Sequence, residues 1–240
     1  MLGPTRCIVH RGIVDRYNGI ENSLSEIEKT ITSGADGVEF DINHTQDGIG
    51  IVYHDKILKS YVTSKPGMSC PVGSKVENLK YDSIQKNCML ENGEEIPVAR
   101  DVFELLKGKP MMAFLDFKDI PSDHTIALIR EYYEGMYGLV YSIVMMGPNF
   151  ESFYTINKRM PNPLLVLSDV YPGGTVNGFD GVDARKLSQM EIRLLKEKGK
   201  IVALFDVNDL ENLKKYMNWG ANFITTDRID LCLQAKNEIF

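Results

Sequence analysis

Two acidic residues two positions apart, Glu39 and Asp41, interrupt an apolar run at residues 37–42. Such a run predicts an interior β-strand, in which successive side chains point to opposite faces. Both carboxylates therefore project from the same face and lie next to each other. Two like charges at this spacing repel and lose hydration unless a positive charge lies between them. A divalent cation is the simplest charge that would satisfy both.

A third carboxylate, Asp116, lies in a later apolar run with the same alternation of neighbours. Three carboxylates suit a hard cation, and the absence of clustered cysteines or histidines argues against zinc. We therefore predict that Glu39, Asp41 and Asp116 bind Mg²⁺ or Ca²⁺. The alternative is that one of these carboxylates is half of a buried ion pair.

Two of the four histidines, His10 and His54, directly follow apolar runs that are typical of strands. A lone histidine in that position is more often a hydrogen-bonded residue of the core or rim. Two imidazoles that converge on a metal site can instead divide the roles of general acid and general base near neutral pH. We predict this catalytic role for His10 and His54, and surface positions for His44 and His124.

Arg11 and Lys118 flank the same predicted site with positive charge. They could simply neutralise the excess of carboxylates, but a guanidinium beside a metal also forms a bidentate clamp for phosphate. We predict that both residues bind a substrate phosphate. Glu21 either orients Arg11 or favours the start of the following helix through its negative charge.

Eight β-rich runs alternate with amphipathic helical stretches, a pattern typical of βα units and a parallel sheet. Nearly all eight are apolar on both faces, which favours a closed barrel over an open sheet. Helices are predicted to start after Ser23, Ser188 and Asp209. The predicted strands span residues 6–10, 37–42, 111–117, 139–144, 164–168, 178–183, 200–205 and 222–225. The sequence therefore predicts an α/β fold, a (β/α)₈ TIM barrel, whose carboxyl-terminal strand ends carry the polar residues described above.

One long segment does not fit the βα repeat. Residues 56–98, after strand two, carry several glycines and prolines, and a structureless loop of that length is improbable inside a compact domain. We predict a small insertion there, a lid or subdomain over the strand ends, within a single domain spanning residues 1–240.

Composition limits the classes of partner. The net charge of −6 and the pI near 5.3 argue against nucleic acid, and no apolar run approaches the roughly 20 residues of a transmembrane segment. The amino-terminal residues lack the pattern of an export signal.

The four cysteines are scattered, which favours reduced thiols and a cytoplasmic location, with pairing of Cys70 and Cys88 as the weaker alternative. Homo-oligomerisation stays open.

Several ordered motifs resemble the signature of the glycerophosphodiester phosphodiesterases. They are His10-Arg11-Gly12, Glu21-Asn22-Ser23, residues 34–41, Thr45-x-Asp47-Gly48, Val52-x-His54-Asp55, residues 115–118 and residues 220–228. The resemblance implies a TIM barrel with a divalent cation held by Glu39, Asp41 and Asp116. It also implies acid–base chemistry by His10 and His54, with Arg11 and Lys118 on the phosphate of a small glycerophosphodiester. The products would be sn-glycerol 3-phosphate and an alcohol.

The chain departs from that family pattern at two places. Asp116 stands where the family usually has Glu, and residues 205–208 read Phe-Asp-Val-Asn where the family commonly has Trp-Thr-Val-Asn. Phe205 keeps an apolar wall, while Asp206 adds a charge that could repel phosphate or recruit a cationic head group. Two other functions stay open: cleavage of a lysophospholipid or sphingolipid, as in phospholipases D on a similar barrel, and a barrel that binds phosphate without catalysis.

Overall fold

Eight parallel strands close into a barrel in the computed structural model, which describes residues 4–13, 19–144, 159, 165–168 and 179–240. In chain order the strands are β1 (Arg6–Val9), β2 (Gly37–His44), β3 (Gly50–Val52), β4 (Val62–Ser64), β5 (Cys88–Leu90), β6 (Met112–Phe117), β7 (Gly138–Val144), β8 (Leu165–Ser168), β9 (Gly181–Ala184), β10 (Ile201–Leu204) and β11 (Phe223–Thr226). The barrel order is β1-β2-β6-β7-β8-β9-β10-β11, and β1 closes it by pairing with both β2 and β11. The predicted (β/α)₈ fold is confirmed.

All eight predicted runs form barrel strands, with ends that differ by a few residues. The short strand β3 was not predicted as part of the sheet, and it pairs antiparallel with the end of β2.

Between β9 and β10 the backbones approach so closely that a Cβ atom on Gly181 would lie 2.2 Å from the Ile201 carbonyl oxygen. Only glycine fits there without a shift of the strand.

The helices are α1 (Leu24–Ile31), α2 (Tyr81–Asn87), α3 (Ala99–Leu106), α4 (Asp123–Tyr132), α5 (Gln189–Glu197), α6 (Leu210–Asn218) and α7 (Ile229–Ile239). The three predicted helix starts are confirmed. Ser23, Ser188 and Asp209 each accept a backbone N–H of the first turn through the side chain, and Ser188 forms a reciprocal capping box with Glu191. Each cap stabilises its helix by about 1 kcal/mol.

Residues 56–98 form regular structure with an apolar core of their own. The hairpin β4–β5, a 3₁₀ turn at Val76–Asn78 and helix α2 surround buried Leu58, Val62 and Ile84, which pack together with Ile51 and Tyr53 next to the barrel. A disulfide joins Cys88, the first residue of β5, to Cys70 in the connection between β4 and β5. The division into a domain and an inserted lid stays a prediction.

The expectation of reduced cysteines is wrong. Cys7 pairs with Cys232 and Cys70 pairs with Cys88, so all four cysteines are oxidised in this structure. Cys7 and Cys232 lie 225 residues apart along the chain, yet barrel closure places β1 against α7, which brings their Cα atoms within 6.0 Å. Sequence spacing could not reveal that neighbourhood. The cytoplasmic location, which depended on reduced thiols, loses that argument and stays a prediction.

Apolar side chains fill the space between strands and helices and also the interior of the barrel. The barrel interior is closed below the site by a small cluster that includes Ile8, Phe114 and Phe223. None of the helices in the described ranges has the length and apolar character needed to cross a membrane.

Candidate active site

A cavity of about 140 Å³ opens at the carboxyl-terminal end of the barrel strands. Six of the seven residues predicted to act in catalysis, substrate binding or metal binding line it: His10, Arg11, Glu39, His54, Asp116 and Lys118. The seventh, Asp41, is fully buried directly beneath them and contacts two of the six. Neighbouring strands thus bring together residues that lie more than 100 positions apart in the sequence.

The three predicted metal ligands form one cluster. Asp41 and Asp116 are register partners across β2 and β6, and Glu39 lies two residues earlier on the same face of β2. One carboxylate oxygen from each residue lies within 4.8 Å of the other two. The Oδ1 atom of Asp116 is buried and has no hydrogen-bond partner, so one oxygen of the cluster is open to a further ligand. An all-oxygen donor set of this kind fits Mg²⁺ or Ca²⁺.

Cationic and amide groups surround Asp41. Its carboxylate contacts Arg11 Nε at 2.9 Å, Lys118 Nζ at 2.7 Å and Asn22 Nδ2 at 2.6 Å. Burial alone would raise the pKa of Asp41, but the charges of Lys118 and Arg11 hold it below its ordinary value. Asn22 also accepts the Asp41 backbone N–H at 3.1 Å, so this amide fixes both the strand and its carboxylate. Asn22 was not predicted as a site residue, although it lies inside the Glu21-Asn22-Ser23 motif.

The surroundings of Glu39 shift its pKa in the opposite direction from that of Asp41. Burial and the adjacent Asp41 charge raise the pKa of Glu39 to about 8, although the neighbouring charges of His10 and Arg11 oppose this effect. Its Oε2 atom accepts the backbone N–H of Arg11 at 3.1 Å. Burial also raises the pKa of Asp116, although Lys118 opposes this effect from close range. A cation in the cluster would favour the ionised form of Glu39.

The turn after β1 explains why His10, Arg11 and Gly12 occur together. Arg11 adopts a left-handed conformation with φ of +54°, and Gly12 follows at +87°. A Cβ atom on Gly12 would lie 2.8 Å from the carbonyl carbon of Glu26, so the turn can press against α1 only with glycine there. In this turn the Arg11 backbone N–H donates to Glu39, and the Arg11 guanidinium contacts Glu21 and Asp41.

Glu21 orients Arg11 directly. Both Glu21 oxygens accept hydrogen bonds from Arg11 Nη1, at 2.9 and 3.0 Å. Together with the Nε contact to Asp41, this leaves Nη2 as the nitrogen of the guanidinium that can face a bound anion. Lys118 lies between Asp41 and Asp116 on the opposite side of the cluster, at 2.7 Å and 2.5 Å.

Both predicted catalytic histidines use Nδ1 to contact a carboxylate. His10 Nδ1 lies 2.8 Å from Asp227 Oδ1, and His54 Nδ1 lies 2.9 Å from Asp55 Oδ1. The opposite nitrogen, Nε2, is then the one that can exchange a proton with a ligand in the cavity. In His10 this Nε2 atom lies 4.0 Å from Glu39 Oε2, at the edge of the acidic cluster.

Asp227 strongly affects the basicity of His10. Burial disfavours the protonated ring, but the hydrogen bond to Asp227 and the charge of Glu39 outweigh it and raise the pKa of His10 to about 9. Asn208 Nδ2 in turn donates to Asp227 Oδ2 at 2.8 Å, and Asn208 Oδ1 accepts the Asp227 backbone N–H at 2.8 Å. Neither Asp227 nor Asn208 was predicted as a site residue. The sequence could have indicated both residues, because both lie in stretches that resemble the family.

The opposite wall of the cavity comes from strands late in the sequence. Asp183, Arg185, Phe205 and Asp206 line it together with Thr225. Arg185 Nη1 lies 2.7 Å from Asp206 Oδ2, and the Arg185 guanidinium lies 5.0 Å from the centre of the Phe205 ring. Apart from their position near the end of a strand, nothing in the sequence indicated that Asp183 and Arg185 belong to the site.

The prediction of a surface position for His44 is wrong. His44 is the last residue of β2 and is buried, with its ring between Asp119 and Thr125 Oγ1, to which Nε2 lies at 2.9 Å. The antiparallel strand β3 covers this end of β2, which the sequence alone did not indicate. His124 is exposed in the first turn of α4, as predicted.

Comparison with known proteins identifies the family. A model of the glycerophosphoryl diester phosphodiesterase family matches residues 10–130, the half of the chain that contains all seven predicted site residues. The chain belongs to this family. A glycerophosphodiester phosphodiesterase of Caldanaerobacter subterraneus is 25% identical over 239 residues, which cover 93% of this chain and 94% of that protein. Human glycerophosphodiester phosphodiesterase 1 is 31% identical over 135 residues, which cover 53% of this chain and 38% of the human protein.

Solved structures of family members share the fold. A phosphodiesterase from Oleispira antarctica, solved in complex with the product sn-glycerol-3-phosphate, superposes with a TM-score of 0.76 over 98% of this chain and 97% of that chain, at 19% identity. A glycerophosphoryl diester phosphodiesterase from Agrobacterium tumefaciens gives a TM-score of 0.79 over 98% of both chains, at 15% identity. The barrel is thus the fold of this family.

Proposed function

We propose that this protein hydrolyses glycerophosphodiesters to sn-glycerol 3-phosphate and an alcohol with the help of Mg²⁺ or Ca²⁺. The observation that carries the proposal is one cavity where two imidazoles and two cationic side chains lie beside a cluster of three carboxylates. Family membership and the named activity of the full-length bacterial relative support the same substrate class. So does the product bound to the Oleispira protein, which shares the fold.

Glu39, Asp41 and Asp116 would hold the cation, and the open Oδ1 atom of Asp116 supports this assignment. The cation supplies charge neutralisation at the phosphate and lowers the pKa of a hydroxyl near it. The shorter side chain of Asp116, compared with the Glu usual in the family, still reaches the cluster because its strand is the direct neighbour of β2.

Arg11 and Lys118 bind the phosphate in this proposal. Glu21 and Asp41 hold the Arg11 guanidinium in a fixed plane. Nη2 can therefore donate to a phosphate oxygen without a change of the Arg11 rotamer. The Lys118 ammonium adds a second positive charge across the acidic cluster. Together they position the diester between the two histidines and stabilise the charge that develops on its oxygens.

His10 acts as the general acid and His54 as the general base. The pKa of His10, raised to about 9, keeps its ring protonated at neutral pH, and Nε2 can donate a proton to the oxygen of the leaving alcohol. His54 Nε2 removes a proton from the attacking hydroxyl, which belongs either to water or to the substrate glycerol. Attack by water gives glycerol 3-phosphate directly, whereas attack by the glycerol hydroxyl gives a cyclic phosphate that a water molecule then opens to glycerol 3-phosphate. The new phosphorus–oxygen bond forms as the bond to the alcohol breaks, and the alcohol leaves as a neutral molecule.

The insertion at residues 56–98 limits access to this chemistry in our proposal. His54 and Asp55 immediately precede it, and Ser60 donates to Asp55 Oδ2 at 2.7 Å, so the insertion holds the His54 partner in place. The compact cavity of about 140 Å³ suits a small soluble diester better than a lipid with an acyl chain.

Coupled assays for glycerol 3-phosphate and for free choline, the alcohol that cleavage of lysophosphatidylcholine would release, test the proposal. The protein, supplied with Mg²⁺ or Ca²⁺, is incubated with glycerophosphoglycerol, glycerophosphocholine and lysophosphatidylcholine in separate reactions. We expect release of glycerol 3-phosphate from the glycerophosphodiesters, and losses on the order of 10²- to 10⁴-fold in His10→Ala and His54→Ala with unchanged folding. Turnover of the lysophospholipid alone would favour the phospholipase D-like alternative. Binding of glycerol phosphate without any hydrolysis would favour a non-catalytic barrel.

A further inference from the structure

Arg185 occupies the wall that faces the catalytic residues. Its guanidinium lies over the face of Phe205 at 5.0 Å and pairs with Asp206 at 2.7 Å. The Arg185 side chain is 68% exposed, whereas Asp206 is 26% exposed and lies deeper in the cavity. Arg185 therefore covers both an aromatic face and a carboxylate from the solvent side.

An aromatic face beside a carboxylate is the arrangement that binds an organic ammonium group, such as choline. Without Arg185, Phe205 and Asp206 would form such a place next to the phosphate site. In this chain one guanidinium fills that place, because it makes the cation–π contact and the ion pair at the same time. An ammonium group that entered would have to displace Arg185 and would meet a like charge.

This wall adjoins the oxygen of the leaving alcohol. Arg185, Phe205 and Asp206 line the same cavity as His10, the residue that protonates that oxygen in the function proposed above. In a cavity this small, the group attached to the leaving oxygen lies within reach of the Phe205–Asp206 side. Asp183 is a further carboxyl group in this wall, but it is buried at the barrel side, where its Oδ2 atom lies 3.4 Å from Ser142 Oγ.

We propose that Arg185 is a specificity-determining residue that selects glycerophosphodiesters with an uncharged or anionic alcohol over those with a cationic one. This inference rests on the proposed function. Arg185 has five N–H donors, and Nη1 contacts Asp206. Donors that face the cavity can bind hydroxyl oxygens of an alcohol such as glycerol, and the positive charge excludes a trimethylammonium group.

A pair of substrates tests this inference. We measure kcat/KM for glycerophosphoglycerol and for glycerophosphocholine, in the presence of Mg²⁺, for the unchanged protein, Arg185→Ala and Arg193→Ala. Arg193 is the matched control, because its side chain is also 68% exposed and pairs with a carboxylate, Glu197, on helix α5. The readout is the ratio of the two kcat/KM values, which is insensitive to the fraction of active protein.

We expect the unchanged protein to prefer glycerophosphoglycerol by on the order of tenfold, equivalent to about 1.4 kcal/mol. Arg185→Ala should shift the ratio toward glycerophosphocholine by about tenfold, and Arg193→Ala should leave the ratio unchanged. Adding Asp206→Asn to Arg185→Ala should reverse that shift, because the carboxylate that would attract choline is lost. Asparagine tolerates the left-handed backbone of this position, at φ +57°.

Two results would overturn the inference, and they can be told apart. If both substrates are hydrolysed and Arg185→Ala keeps the ratio of the unchanged protein, Arg185 does not determine specificity, while the proposed function stands. If the unchanged protein hydrolyses neither substrate with Mg²⁺ or Ca²⁺, the proposed function fails and the inference fails with it.

Discussion

Replacing Asp227 with asparagine should move the pH dependence of the reaction. Asp227 accepts a hydrogen bond from His10 Nδ1 at 2.8 Å, and this bond is the largest of the influences that raise the pKa of His10 to about 9. Asparagine keeps the shape of the side chain and removes the negative charge. The protonated form of His10 then loses its main stabilising partner, so its pKa must fall toward the ordinary value of 6.5.

The structure limits the size of this effect. The Asp227 side chain is 56% exposed, so water screens its charge, and Glu39 continues to support the protonated ring. We therefore expect the pKa of His10 to fall by about one unit, equivalent to about 1.4 kcal/mol, rather than by the whole difference. The general acid would also be less well oriented, and kcat should fall by about 10- to 100-fold.

The assay is the pH profile of kcat with saturating Mg²⁺ and glycerophosphoglycerol. Because Asp227 raises the pKa of His10, activity that needs the protonated ring is present at low pH and is lost as the pH rises through that pKa. In Asp227→Asn this decline should begin about one pH unit lower. Asp230→Asn is the matched control, since Asp230 is 61% exposed and pairs with Arg228 instead of a histidine. A decline at the same pH in both variants would refute the role assigned to Asp227.

Two further predictions concern the cation and the disulfides. Because a cation favours the ionised form of Glu39, whose pKa burial raises, affinity for Ca²⁺ should rise from pH 6 to pH 8 by up to about tenfold per unit, and Glu39→Gln should bind weakly without this slope. Calorimetric titration measures both, and a flat profile in the unchanged protein would contradict the raised pKa. Removal of the buried Cys7–Cys232 bond by paired serine substitutions should lower the free energy of unfolding by about 2–5 kcal/mol in urea titrations. Reactive thiols in the unreduced, denatured protein would contradict both disulfides.

Sequence reasoning succeeded where a local pattern carries the information. Alternation along a strand placed Glu39 and Asp41 on one face, and apolar runs located every barrel strand. The resemblance to the family then indicated which strand ends meet. Asp116 could be assigned to the same cluster because parallel neighbours share a register.

Other features depend on contacts that no local pattern encodes. The partnership of Cys7 with Cys232 exists only because the barrel closes, and the burial of His44 depends on β3 folding back over β2. Asp227 reaches His10 across 217 positions of sequence. Asp206 looked like a free charge in the sequence, but Arg185 pairs with it from the preceding βα unit.

The central claim is that the carboxylates of β2 and β6 hold a cation whose presence allows the two imidazoles to cleave a phosphodiester. A ³¹P NMR time course on protein freed of metal by a chelator, with glycerophosphoglycerol as substrate, tests it most directly. We predict an unchanged diester signal until Mg²⁺ or Ca²⁺ is added in excess, followed by growth of the glycerol 3-phosphate signal. Equal rates of product formation before and after the addition would contradict the claim.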